Sequence, residues 1–249
     1  VTEKIAVSAS GSGEARLTLA FGAGELNLSP GGQELLVEGT ATYNYSELKP
    51  SIESSGNNVH IQTGEGGLNA FPSFGELKNV WDLKLSALPM DLTIEAGAYK
   101  GNFEFGGLAL TGLTVKDDAA DERLSFSSPN KTEMSILRYE TGASNVKLSG
   151  LANANFSTLI FSSGAGDFSL DFSGALQRDA TATIESGFSN LMLVIPQGIH
   201  AVVTVESGAS NVTFGPGWTQ NGDVYTQAGE GPTLTILINI GAGNLTLTR

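Results

Sequence analysis

Four carboxyl groups crowd into six positions at Asp117, Asp118, Asp121 and Glu122, the densest supply of hard oxygen ligands in the chain. Such groups suit calcium, which takes roughly six to eight oxygens, and they carry the metal expectation here. Their spacing matches neither an EF-hand loop nor the GGxGxD repeat of calcium-binding β-rolls, so a solvated acidic loop competes with a metal site. Asp167 and Asp171 are the other close carboxylates, of the type that polysaccharide lyases and hydrolases use, but Asp171 falls one residue past the inward Leu170 and nothing else converges on the two. His60 sits in the strand-like NNVHIQT and His200 follows a Pro-Gln-Gly turn, so each reads as structural or exposed rather than as a base. Tyr99, Phe188 and Trp218 stand at positions read as surface, where an aromatic ring can stack on a sugar or a partner.

The rest of the catalytic repertoire is missing from the sequence. It has no nucleophile elbow, HExxH, P-loop or dinucleotide fingerprint, and no cysteine for a thiolate site, so no cofactor is expected. The Gly22-Ala23-Gly24 and Gly241-Ala242-Gly243 segments read as corners, not phosphate cradles, because no helical pattern follows them. A net charge of −13, with only 13 Lys and Arg, excludes nucleic acid and anionic lipid headgroups as direct partners. No apolar run approaches the ~20 residues that span a bilayer. The opening VTEKIAV lacks the profile of a signal peptide, so any export signal or anchor is expected outside this numbering.

The elements that must position these residues come from an internal repeat. The phrase ETGASNVKL at 140–148 returns as ESGASNVTF at 206–214, and its glycine anchors a family of segments. The anchors are Gly22, Gly39, Gly64, Gly97, Asp118 in place of glycine, Gly142, Gly164, Gly187, Gly208 and Gly241. Three residues before each anchor stands an apolar residue, from Leu19 through Ile94, Tyr139 and Ile184 to Ile238. Alternation resumes four and six residues after it, as in Leu26 and Leu28, Val146 and Leu148, or Leu68 and Ala70. In the Gly97 and Asp118 units the turn reads as two residues longer, giving Phe103 and Phe105, then Leu124 and Phe126.

Each unit is therefore strand, glycine corner, strand, with alternate residues buried. The expectation is an all-β, single-stranded β-helix of about ten short-strand rungs, on the order of 48 Å long at ~4.8 Å per rung. It occupies 1–249 as one continuous body, with a soft boundary near 127–132 between an irregular first half and a regular second half. Residues 70–78 and 216–226 read as excursions, and the DDAADER segment, 117–123, as a small loop or helical turn. Asn145, Asp167, Asn190, Asn211 and Asn244 form a column that reads as an amide ladder or as turn residues. The last rung, LTILINIGAGNLTL, is strongly apolar, and its edge is expected to be buried by a second copy or by the chain's own irregular segments.

FGAGELNLSP with LLVEGTATYNYSELKPSI, then VWDLKLSALPMDLTIEAGAYKGNFEFGGL and the repeated GAG, GASN and GFSN corners, resemble the bacterial toast-rack domains of unknown function. The resemblance extends to adhesin-type β-solenoids and to the C-terminal domains of cell-wall-active antibiotic-response proteins. It covers nearly the whole chain and implies an exported or membrane-tethered domain outside the cytoplasmic membrane, with no catalytic residues to carry over. AGAYKGNF and DDAADER depart from the family's corner pattern and point to a lineage-specific contact there. The function expected is a non-catalytic envelope module that meets a protein or a cell-wall component, with a carbohydrate-active enzyme as the alternative.

Overall fold

The computed structural model describes residues 1–8, 13–32, 35–64 and 77–249. Val, Ile, Leu and Thr recurring at every second position, with no helical spacing, commit the backbone to extended conformation. The result is an all-β chain with short 3-10 turns at Ser46–Leu48 and Leu151–Ala154. In order the strands are β1 (Thr2–Val7), β2 (Ala15–Gly32), β3 (Val37–Tyr43), β4 (Ser51–Ser55), β5 (Asn58–Gln62), β6 (Asn79–Ser86), β7 (Pro89–Glu104) and β8 (Ala109–Ser125). The second half holds β9 (Met134–Ser149), β10 (Phe156–Asp171), β11 (Ala180–Val194), β12 (Gly198–Phe214), β13 (Trp218–Asn221), β14 (Val224–Gln227) and β15 (Gly229–Thr248).

All of them join one large mixed sheet that does not close on itself. Its body is parallel and in register, in the order β2-β7-β8-β9-β10-β11-β15-β12. Leu159 pairs with Leu137 on one side and Ala182 on the other, and Leu170 with Leu148 and Leu193. Along β10 the buried positions are Phe156, Leu159 and Phe161 before Gly164, then Phe168 and Leu170 after it. The alternation thus changes phase by one residue at the corner, and both limbs feed a single core that runs from Ile5 to Leu247.

The corner glycines have a steric origin. A Cβ on Gly97 would lie 2.6 Å from the Gly22 carbonyl oxygen, one on Gly164 2.8 Å from that of Gly142, and one on Gly187 2.6 Å from that of Gly164. Gly241 meets Gly187, and Gly208 meets Gly241, at 2.7 Å. Close approach of successive backbones, rather than a left-handed φ, excludes a side chain at these five corners.

Three expectations need correcting. The Gly39 unit is no rung of the parallel body: β3 runs antiparallel to both β1 and β6. DDAADER is neither loop nor helical turn but part of β8, continuously paired with β7. The Gly97 and Asp118 units are no longer than the others, because Leu26 and Leu28 pair directly with Gly101 and Phe103, and Leu124 with Leu148. What looked like an insertion is a polar replacement of one core position by Gly101 and Glu122. The 216–226 excursion is the β13–β14 hairpin, turned at Gly222 with φ +61°, and β14 pairs with the first limb of β12. Rung order also departs from chain order, since β15 lies between β11 and β12.

The apolar last rung is therefore covered by β12, a segment of the same chain, and a second copy would have to meet β12 instead. Phe214 on β12 is 42% exposed, whereas its counterparts Leu193 and Leu247 are fully buried. The expected core positions Leu68 and Ala70, and most of the 70–78 excursion, lie outside the described residues. The 127–132 segment is tied in from both sides. The buried Asn130 side chain donates to the Leu110 carbonyl at 2.7 Å and accepts from the Leu110 amide at 2.8 Å, while its own amide donates to Asn153 at 2.8 Å.

Candidate functional site: a sealed acid pair and a polar outer face

Alternation along β8 splits the four clustered carboxyls. Asp117 and Glu122 take inward positions, 8% and 1% exposed, and Asp118 and Asp121 point to solvent. Glu122 occupies the column that neighbouring strands fill with Leu26, Val146, Phe168 and Leu191. Among the described residues no group of three or more His, Asp or Glu is arranged to hold a metal ion, and the geometry brings only two of the four candidate ligands together.

The two buried acids meet under a pair of tyrosines. The Tyr99 hydroxyl bonds to Glu122 Oε2 and lies 3.4 Å from Asp117 Oδ2, and the Tyr139 hydroxyl donates to Asp117 Oδ2 at 3.2 Å. Asp117 also receives the Thr141 hydroxyl, and the Ser144 hydroxyl lies 3.3 Å from it. Glu122 Oε1 has no hydrogen-bond partner among the described residues. A carboxylate served by several hydroxyls is stabilised as an anion, whereas one with a single donor in an apolar column is not. Burial, reinforced by the Asp117 charge and opposed by the Tyr99 bond, pushes the Glu122 carboxyl up to about 8. Burial also raises Asp117, and it raises both tyrosines well above their usual range, so both stay neutral. At neutral pH Glu122 is therefore the neutral acid of a sealed pair.

The aromatic candidates separate as well. Tyr99 is 7% and Trp218 6% exposed, correcting the surface reading of both: Tyr99 turns inward to the acids, and Trp218 is covered where β13 pairs with β14. Phe188 alone stands out, 69% exposed, at a corner where its paired neighbours on β10 and β15 are Ala165 and Ala242. His60 is half-buried beside Gln62 at 3.1 Å, and His200 is half-buried at the start of β12. Asp171 caps the Ser173 amide at 2.8 Å while Asp167 accepts from Asn190 at 2.7 Å, so the two are used separately.

The outward residues of the second limbs build a long polar face. Asn145, Asp167, Asn190 and Asn244 are adjacent in register, and the Asn244 amide donates to Asn190, which donates to Asp167, each at 2.7 Å. Parallel to this ladder run Asn102, Arg123, Lys147, Ser169, Met192 and Thr246. Two grooves, about 780 and about 370 Å³, open on this face, and both are lined by Arg123 and Lys147. The sequence signal for these two was present but unread: each stands five residues after its corner, at outward parity.

A family model described as "N-terminal domain of toast_rack, DUF2154" matches residues 1–148, more than half of the chain. The chain belongs to the toast-rack family. Among solved structures, the toast-rack chain is similar to one described as a "putative cell adhesion protein" from Clostridium sporogenes, at 19% identity and TM-score 0.52, covering 100% of this chain and 98% of that one. A "putative adhesin" from Bacteroides fragilis, at 12% identity and TM-score 0.37, covers 99% and 96%. A "putative lipid binding protein" from Parabacteroides distasonis, at 10% identity and TM-score 0.40, covers 98% and 96%. No curated protein matches. The likeness to the Clostridium structure shows the all-β fold over the full length, and the function has to be argued from this chain's own surface.

Proposed function

We propose that this toast-rack chain is a β-solenoid, one long strand per rung through most of its length, that works as a non-catalytic module of the bacterial envelope outside the cytoplasmic membrane. It displays its sheet surface to a protein or cell-wall component, in the manner of an adhesin or scaffold. The observation that carries this reading is the in-register parallel body from β2 to β12, whose outward columns continue from strand to strand while the perturbed acids Asp117 and Glu122 are sealed inside. Repeat stacks supply extended, pre-formed surfaces for recognition at little ordering cost.

The test is co-sedimentation of the purified chain with isolated bacterial cell-wall sacculi, with soluble sugar release followed in the same tubes. Pelleting with the walls and no release is expected. Release of sugar fragments that disappears in an Asp167→Asn, Asp171→Asn double variant would replace this reading with a carbohydrate-active enzyme.

A further inference from the structure

Arg123 and Lys147 are neighbours across the β8–β9 ladder, about 4.8 Å apart along the sheet. Both are exposed, and neither enters an ion pair or side-chain hydrogen bond among the described residues. In a chain of net charge −13 only some of the other cations find acids, as Arg178 does Glu133 at 2.5 Å and Arg138 does Glu140 at 3.1 Å. Two adjacent like charges repel, and the acids that line the same grooves, Glu25, Asp82 and Glu104 in one and Asp121 and Asp167 in the other, form no ion pair with them among the described residues. They also stand where the two grooves of the outer face meet.

Around them the face has a recognisable chemistry. The hydrogen-bonded ladder of Asp167, Asn190 and Asn244 offers paired donors and acceptors at each strand step. Ser169 and Thr246 add hydroxyls, and on β11 the exposed side chains of Phe188 and Met192 flank Asn190 with apolar surface. The ladder repeats every ~4.8 Å, close to the length of one pyranose ring, so a linear sugar polymer can meet the Asn190 and Asn244 amides and the Asp167 acceptor on successive rings. A protein segment laid across the strands has no such matching repeat.

We propose that this face, from Arg123 and Lys147 across Asn190 to Phe188, binds a linear acidic glycan. Ring hydroxyls meet the amide ladder, one ring face rests on Phe188, and sugar carboxylates meet Arg123 and Lys147. The assignment rests on the non-catalytic display reading above and names its ligand class.

The experiment is calorimetric titration of the whole chain at low salt with linear oligogalacturonate, with an uncharged cello-oligosaccharide of the same length, and with poly-glutamate. Oligogalacturonate is expected to bind, more weakly as salt rises. Arg123→Ser with Lys147→Ser should weaken it at least tenfold, and Phe188→Ala several-fold, with melting temperatures unchanged. No binding of oligogalacturonate at millimolar concentration, or undiminished binding by the double variant, overturns the proposal. Equal binding of poly-glutamate overturns it in favour of an acidic protein partner. Mass analysis of the titrated oligomer separates the two readings: binding with chain shortening keeps the glycan site and sinks the non-catalytic function, whereas no binding removes the site and leaves that function to the sacculus assay.

Discussion

Gly101 lies opposite Glu122 in the β7–β8 ladder, and a Cβ at Gly101 would come within 2.7 Å of Glu122 Cγ and 2.9 Å of the Tyr99 ring. The glycine is the space into which the buried acid folds. Gly101→Ala should overpack this layer and lower stability by about 1–3 kcal/mol. Chemical denaturation of the variant beside the parent measures the difference, and an unchanged midpoint would show that the pair relaxes freely.

The acid pair makes stability depend on pH. Glu122 rises from its ordinary 4.5 to about 8 in the fold, so the folded chain holds a proton that the unfolded chain has released between these values. Its contribution is fully present below about 4.5 and is lost as pH rises through about 8. Melting temperature should fall over that window, and Glu122→Gln, which keeps the shape and removes the titration, should flatten the fall. A parent and variant with parallel pH profiles would rule the mechanism out.

The corner column predicts a contrast within one residue type. Gly187→Ala places a methyl 2.6 Å from the Gly164 carbonyl oxygen and should be strongly destabilising. Gly22→Ala, at the same column position, meets nothing within 4 Å among the described residues and should be tolerated. Equal melting temperatures for the two variants would contradict the steric account.

Trp81 is fully buried, packs edge-on against Phe21 with ring centroids 5.1 Å apart, and leaves its indole N–H without a partner. Trp81→Ala should cost about 3–5 kcal/mol through the cavity it opens. Trp81→Phe should cost much less than that, because it keeps most of the apolar contact while removing the unpaired donor. Denaturant midpoints for the two variants decide this.

Periodicity made the strand limbs, the corner glycines and the buried columns legible, because alternation and steric exclusion are local properties that each segment repeats. It could not reveal that Glu122 occupies a core position, since a charged residue reads as outward until its partners Tyr99 and Asp117 are known to face it. The same blindness placed Tyr99 and Trp218 on the surface. Strand order was hidden for a different reason. The side chains of β12 and β15 suit either neighbour, so nothing in their sequence says that Ile236 pairs with Ala182 as well as with Val203. Arg123 and Lys147 were visible as outward residues, but their adjacency depends on the register of β8 with β9.

That strand order has a consequence for biogenesis. β12 makes its ladder with β15 on one edge and with β14 on part of the other, and with no earlier strand of the body. Strands β2 and β7 to β11 can zip together in chain order, but β12, paired only to β14 over Ala201–Thr204, cannot join the parallel body until Gly229–Thr248 has inserted ahead of it. The twenty-residue β15 thus acts as a wedge and a latch at once, since a chain lacking it has no strand to join β12 to β11.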